Sequence, residues 1–329
     1  MAASDIQPGD PGLEKKLRHV VKGEVRFDAF TRGIFSTDAS HYQVEPLGVV
    51  FPATAEDIQV VMEVAREENV PVLPRGAGTS QCGQTVGRAI VVDVSRHLNQ
   101  IGGMHEDEIE VEPGVVLDHL NARLRQRHQW FPVDPSTGSR ATLGGMAGNN
   151  SAGARSLRYG TMVDNISAIE VVLPDGRRLW LGSKESEEHY MPTELAFLRN
   201  LYANHAAEII QRTPKTMRNV AGYNLASLNP NQENLAQLLV GSEGTLAFFV
   251  RLRLKLSPLL RSRVLGICHF DGLLEALDTV QHIVKLNPTA VELVDQNILS
   301  LGARHPDFRS AMSDFVTGTP KALLLVEFS

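Results

Sequence analysis

Three stretches of this 329-residue chain combine small residues with hydroxyl-bearing ones in a pattern suited to holding a ligand. The first is Pro74-Arg75-Gly76-Ala77-Gly78-Thr79-Ser80. Its successive N–H groups can converge on an anion, with Thr79 and Ser80 adding hydroxyl donors. A tight structural turn is the other reading of the same residues. A dinucleotide fingerprint is excluded by counting: after Gly76 and Gly78 the third glycine is due at Gln81, Gly83 misses it, and a strand rather than a helix follows. The second stretch, from Phe131 to Asp164, carries Gly138, Gly144, Gly145, Gly148 and Gly153 among Ser, Thr, Ala and Asn. Such a segment brings main chain close to a ligand and presents many N–H donors that require partners. A flexible linker would not carry Leu143, Met146, Leu157, Tyr159 and Met162 among its glycines, so the stretch reads as a ligand wall built neither as helix nor as strand. The third is Gly241-Ser242-Glu243-Gly244, a turn feeding a long apolar strand.

The elements around these stretches alternate. Residues 1–44 read as a mobile, Pro- and Gly-rich tail and a helical lead-in, with Leu13, Leu17, Val20 and Val21 at helical spacing. A strand over Val49–Phe51 precedes a helix starting at Thr54, with Asp57 three residues on as a capping partner and Ile58, Val61, Met62 and Ala65 on one face. Strands over Val70–Leu73 and Ala89–Val94 flank the first glycine loop. The strand Glu-Ile-Glu-Val from Glu108 and a helix carrying Leu117, Leu120 and Leu124 lead to the glycine-rich wall. A hairpin follows, Ser167–Leu173 and Arg178–Leu181 around Pro174-Asp175-Gly176. Helical patterns near 194–212, the irregular RNVAGYNL from Arg218 to Leu225 and a helix with Leu235, Leu238 and Leu239 precede the third stretch. From Val264 the pattern is strand, helix, strand, helix, strand, which predicts a separate α+β unit. It closes on the apolar strand around Leu323–Phe328, expected at an exposed sheet edge and therefore unfinished.

Composition narrows the class. Hydrophobic content of 43% and charge of 21% are those of a globular protein. A net charge of -6 without a basic cluster argues against nucleic acid, and no apolar run reaches the length of a membrane span. Cys82 and Cys268 lie far apart, which indicates neither a disulfide framework nor a protein-borne metal cluster and fits a reducing cytoplasm. The eleven histidines form no i, i+4 pair.

Taken in order, PRGAGTS, FPVDPS, TLGGMAGNNSAG, RYG, GYNL and GSEGTL resemble the flavin domain shared by vanillyl-alcohol oxidase and p-cresol methylhydroxylase, the PCMH-type domain. Within that superfamily the chain is similar to the D-lactate, glycolate and D-2-hydroxyglutarate dehydrogenases, most of all to the large members with a carboxy-terminal iron–sulfur region. The resemblance covers about 45 to 329. It implies an α+β fold: a PCMH-type FAD-binding domain at 45–260, with lobes at about 45–105 and 106–260, then the start of a cap domain at 261–329.

By that resemblance, Pro74, Arg75, Gly76, Ala77, Gly78, Thr79 and Ser80 hold the FAD diphosphate. Asp134, Pro135, Ser136, Thr142, Leu143, Gly144 and Gly145 continue along diphosphate and ribityl chain, and Asn150, Ser151 and Gly153 approach the isoalloxazine ring. Glu243, Gly244 and Leu246 belong to the adenine and ribose end, distant from the first loop. The flavin is expected without a covalent bond, because the ring-side segment Thr142–Gly153 holds neither His nor Cys. The implied activity is oxidation of a D-2-hydroxy acid by hydride transfer to FAD, with electrons passed to a quinone, cytochrome or electron-transfer protein. A flavin-binding electron-transfer module whose catalytic surface lies on another chain is the alternative, and a cell-wall enolpyruvate reductase fits less well because AVELVD (290–295) continues past the flavin domain. The catalytic groups and any iron–sulfur cluster are expected beyond Ser329.

Overall fold

The computed structural model describes residues 6–182, 184–216, 218–220, 222–231 and 234–329. Helix α1 (Pro11–Val20) is capped by Asp10, whose Oδ1 accepts from Leu13 N at 2.7 Å. Strand β1 (Glu24–Arg26), helix α2 (Ala29–Phe35), strand β2 (Gly48–Phe51), helix α3 (Ala55–Glu67) and strands β3 (Val72–Arg75) and β4 (Ile90–Asp93) complete the first lobe. The sheet order is β1-β2-β4-β3, with β2, β4 and β3 parallel and β1 antiparallel at the edge. Strand β3 starts later than the sequence suggests and runs through Pro74, which an edge strand tolerates because one side needs no N–H donor.

The lead-in is not separate from this lobe. Leu13 and Leu17 are buried with Val50, Ile58 and Val61 in one core, and β1 pairs with β2. Asp57 ties the two together: thoroughly buried, it accepts main-chain hydrogen bonds from Lys22 (2.8 Å), Gly23 (3.0 Å) and Ala53 (2.8 Å). Packing therefore draws no boundary at residue 44. Residues 1–5 of the expected mobile tail lie outside the described residues.

The second lobe starts with β5 (Ile101–His105) and β6 (Glu108–Val111), then α4 (Leu117–Leu124) and the short β7 (Gln129–Trp130). Because β5 pairs with β6, the seam falls before residue 101 rather than after 105. The glycine-rich wall contains three short helices, α5 (Leu143–Gly148), α6 (Ser156–Tyr159) and α7 (Met162–Asn165), where the sequence predicts no regular structure. Buried Leu143, Met146 and Met162 anchor two of them, so tertiary burial overrides glycine's weak helix propensity. The hairpin β8 (Ile166–Val172) and β9 (Arg178–Leu181), helices α8 (Lys184–Tyr190), α9 (Pro192–Arg212) and α10 (Leu235–Leu239), strand β10 (Phe248–Lys255) and the short β11 (Ser257–Pro258) follow. The five-stranded sheet runs β5-β6-β10-β8-β9. Its Val172, Phe248 and Val250 enter the first lobe's core, which fixes one lobe against the other.

The third unit holds β12 (Val264–Phe270), α11 (Leu273–Ile283), β13 (Ala290–Asp295), α12 (Gln296–Arg304), α13 (Pro306–Phe315) and β14 (Ala322–Phe328). Here the expectation of an exposed final strand fails. The order is β12-β14-β13, so β14 is central and pairs antiparallel on both sides, from Val264↔Phe328 to Phe270↔Ala322 and from Ala290↔Glu327 to Asp295↔Ala322. Its apolar run is explained by burial between two strands and beneath Ala276 of α11.

Candidate cofactor-binding site

The three stretches meet in one cleft of about 1050 Å3, open mouth included, between the two lobes. The loop 76–89 leaves the carboxyl end of β3 and returns as β4, so it lies where parallel sheets commonly receive ligands. Main-chain N–H groups from Gly76 to Ser80 find no protein acceptor among the described residues. A side chain at Gly76 would place its Cβ 2.1 Å from Thr142 Oγ1, so only glycine lets the loop approach the opposite wall. Thr142 Oγ1 is itself buried without a hydrogen-bond partner, an arrangement that costs free energy unless a ligand supplies an acceptor.

The Glu243–Gly244 turn adjoins the first loop instead of lying at a distance from it. Pro74 Cγ comes within 2.8 Å of where a Gly244 Cβ would be, and Glu243 N donates to Gly148 O at 2.8 Å. Gln84, unremarked in the sequence, bridges the two lobes. Its Oε1 accepts from Ser80 Oγ and from Cys82 N, and its Nε2 donates to Glu243 Oε1 at 3.5 Å. Glu243 reaches solvent at the cleft mouth, yet the surrounding walls take away enough water to push its carboxyl above the ordinary range.

Of the expected site residues, 74–80, Pro135, Thr142, Gly144, Gly145, Ser151, Glu243 and Gly244 line the cleft. The others are used elsewhere. The Arg75 guanidinium, nearly buried, donates to the carbonyls of Thr37 (2.7 Å), Thr85 (3.1 Å) and Phe35 (3.2 Å), so only its main chain is free to serve an anion. Asp134 pairs with Arg155 at 2.8 Å and faces a different cavity. Ser136 is exposed, and its neighbour Thr137 lines the cleft in its place. Leu143 is fully buried in the second lobe's core, and Leu246 packs at the edge of that core. Asn150 holds a turn of φ 51°, its Oδ1 accepting from Thr161 Oγ1 (2.9 Å) and Val163 N (3.0 Å). Gly153 is needed for Asp134, whose carbonyl oxygen would lie 2.2 Å from an added Cβ.

Past Asn150 and Gly241 a second cavity of about 1160 Å3 opens, lined by Tyr223, His205 and Arg212. Tyr223 bonds Thr245 Oγ1 at 2.8 Å, which joins the GYNL segment to the Glu-Gly turn; Met217 and Ala221 before that segment lie outside the described residues. Gln84, Thr85, Thr137 and Asn149 are cleft residues that sequence reasoning missed. Gln84 and Thr85 lie in the same β3–β4 loop as the glycines, and that proximity was the only signal available.

Unpartnered donors on one wall and an orphaned hydroxyl on the other suit an acceptor-rich diphosphate. The FAD binding domain family matches residues 46–182, the span that supplies both. The chain is 32% identical to D-2-hydroxyglutarate dehydrogenase of Pseudomonas putida over 96% of its own length and 33% of that protein. It is 33% identical to the enzyme of the same name from Escherichia coli, over 89% of this chain and 31% of the relative. A glycolate oxidase subunit of Bacillus subtilis is 29% identical over 85% of this chain and 52% of that subunit. The chain thus spans about a third of the length of the dehydrogenases it matches. Among solved structures, alkyldihydroxyacetonephosphate synthase superposes with a TM-score of 0.70 at 19% identity, over 97% of this chain and 56% of the synthase, which shows a shared fold.

Proposed function

We propose that this chain is the FAD-bearing part of an oxidoreductase that oxidises a D-2-hydroxy acid such as D-lactate, glycolate or D-2-hydroxyglutarate. The observation that carries the cofactor half of this reading is the unpartnered Thr142 hydroxyl facing a loop of unpartnered N–H groups. Resemblance to dehydrogenases of D-2-hydroxyglutarate and D-lactate supports the substrate half. In this reading the N–H groups of Gly76 to Ser80 and the Thr142 hydroxyl hold the diphosphate, and Glu243 accepts from a ribose hydroxyl. Gly144, Gly145 and Ser151 keep the opposite wall low enough for main chain to reach the cofactor. FAD, once bound, supplies the hydride acceptor.

The flavin is held without a covalent bond, and its electrons pass to a quinone, a cytochrome or an electron-transfer protein; one relative is a cytochrome-linked D-lactate dehydrogenase of Arabidopsis thaliana. No helix among the described residues is long and apolar enough to cross a membrane. Two free cysteines support a reducing, cytoplasmic setting. We divide the chain into a two-lobed FAD domain that includes the lead-in and a third unit after residue 260.

Mass spectrometry of cofactor released from the purified protein tests the cofactor: FAD is expected, and FMN or a nicotinamide nucleotide would overturn the assignment. For the substrate, the longest natural form of the protein is mixed anaerobically with the three acids while flavin absorbance is followed. Bleaching by one of them is expected. A flavin that stays oxidised with all three would sink the hydroxy-acid assignment and leave the cofactor reading standing.

A further inference from the structure

Arg155 stands where three parts of the molecule meet. Its main-chain N–H donates to Asp134 Oδ1 at 3.1 Å and its Nη1 to Asp134 Oδ2 at 2.8 Å. The remaining prongs of the guanidinium clasp Glu327 of β14, Nε to Oε1 at 2.8 Å and Nη2 to Oε2 at 2.9 Å. Only about a fifth of each of these side chains reaches solvent. The guanidinium also lies 5.6 Å from the Trp130 ring centre. One helical turn on, Arg158 Nη1 donates to Ser329 O at 2.9 Å, and Thr289 N donates to Glu327 O at 2.7 Å from the fully buried threonine that precedes β13. Helix α6 is thus fastened to the end of the third sheet by Arg155 at its N-cap and Arg158 within its single turn.

What Arg155 holds on its other side is the cofactor cleft. Asp134 is followed directly by Pro135, a cleft residue, and its carbonyl is in contact with Gly153, two residues past the cleft residue Ser151. A planar fork satisfied on both faces keeps its direction only while both carboxylates stay in place. Removing Glu327 leaves a half-buried guanidinium with unpaired donors, free to turn toward water and to release Asp134.

We propose that Arg155 is a positioning residue that couples the third sheet to the FAD cleft: while Glu327 occupies its fork, Arg155 holds Asp134, and through it the Pro135–Thr137 wall, in the cofactor-binding position. The coupling rests on the cofactor reading above. It runs both ways, since a ligand that orders the wall also orders the fork, so the third sheet's position and FAD affinity report on each other. Arg155 acts through its neighbours and is assigned no contact with substrate.

The test is FAD titration of the full chain, followed by flavin fluorescence and visible circular dichroism, for wild type, Glu327→Gln, Arg155→Lys and the double substitution. Glu327→Gln is isosteric and keeps the fold. It is expected to weaken FAD about tenfold and to change the dichroism of the bound flavin. The double substitution is expected to be no worse than the single ones, because each already breaks the same link. Wild type that takes up no FAD overturns the cofactor assignment and the coupling with it. Wild type that binds FAD while Glu327→Gln binds it equally tightly, with unaltered dichroism, overturns the coupling alone.

Discussion

Replacing Thr142 by Val separates ligand binding from folding, because the two effects have opposite signs. The Thr142 hydroxyl is buried and pairs with no protein group, while its main-chain carbonyl accepts from Met146 N and is untouched by the substitution. A desolvated hydroxyl without a partner costs the folded protein roughly 1–3 kcal/mol. Exchanging it for a methyl group is therefore expected to stabilise the FAD-free chain by about 1 kcal/mol, less whatever crowding the methyl meets at Gly76. Toward FAD the sign reverses. A hydrogen bond to a charged diphosphate oxygen contributes about 1.5–3 kcal/mol, so its loss should raise Kd by roughly tenfold to a hundredfold. Thr142→Ser, which keeps the hydroxyl, should bind FAD like wild type. The assays are thermal denaturation of the apoprotein and fluorescence titration with FAD. If the Val variant binds FAD as tightly as wild type, or if both variants weaken it equally, the hydroxyl is not a ligand donor and the placement of the diphosphate against Thr142 is wrong.

Three further outcomes are expected. Asp57→Ala should cost about 3–5 kcal/mol in urea denaturation, because three main-chain donors would lose one buried acceptor; a loss under about 1 kcal/mol would show that the lead-in is not clamped by this residue. The Arg155 guanidinium holds the Glu327 carboxyl below its ordinary value of 4.5, so the stability it contributes is fully present above that pH and is lost as pH falls through the lowered value. Wild type should exceed Glu327→Gln by about 1 kcal/mol at neutral pH, with the two curves converging in acid, and parallel curves would exclude a charge effect. Acid precipitation should release all the yellow colour from the protein, whereas colour in the pellet would reveal a covalent flavin.

The sequence by itself determined the local features. The hairpin 166–181 and the start of the helix 55–67 appear within a residue or two of where alternation, capping and turn residues place them, and a long strand follows the Gly244 turn. These signals are short-range, and the side chains that carry them act within one element. The glycine loop was legible for the same reason, since a run of small residues with hydroxyls constrains its own backbone. Which residue meets which was decided by the tertiary structure alone. Arg75 reads as a phosphate ligand until the lead-in supplies Phe35 and Thr37 carbonyls to hold it, and Gly153 reads as a ring neighbour until Asp134 is found against it. Gln84 had no distinguishing pattern, because its role depends on Glu243, 159 residues away. The last strand shows the principle most directly. A strand that opens with five consecutive apolar residues is compatible with an edge or a centre, and sheet order is set by which strands can cover one another in space. Only the pairing of β14 with both β12 and β13, and the salt bridge it brings to Arg155, reveals that the chain's final strand is the centre of its sheet and the point at which that sheet grips the cofactor domain.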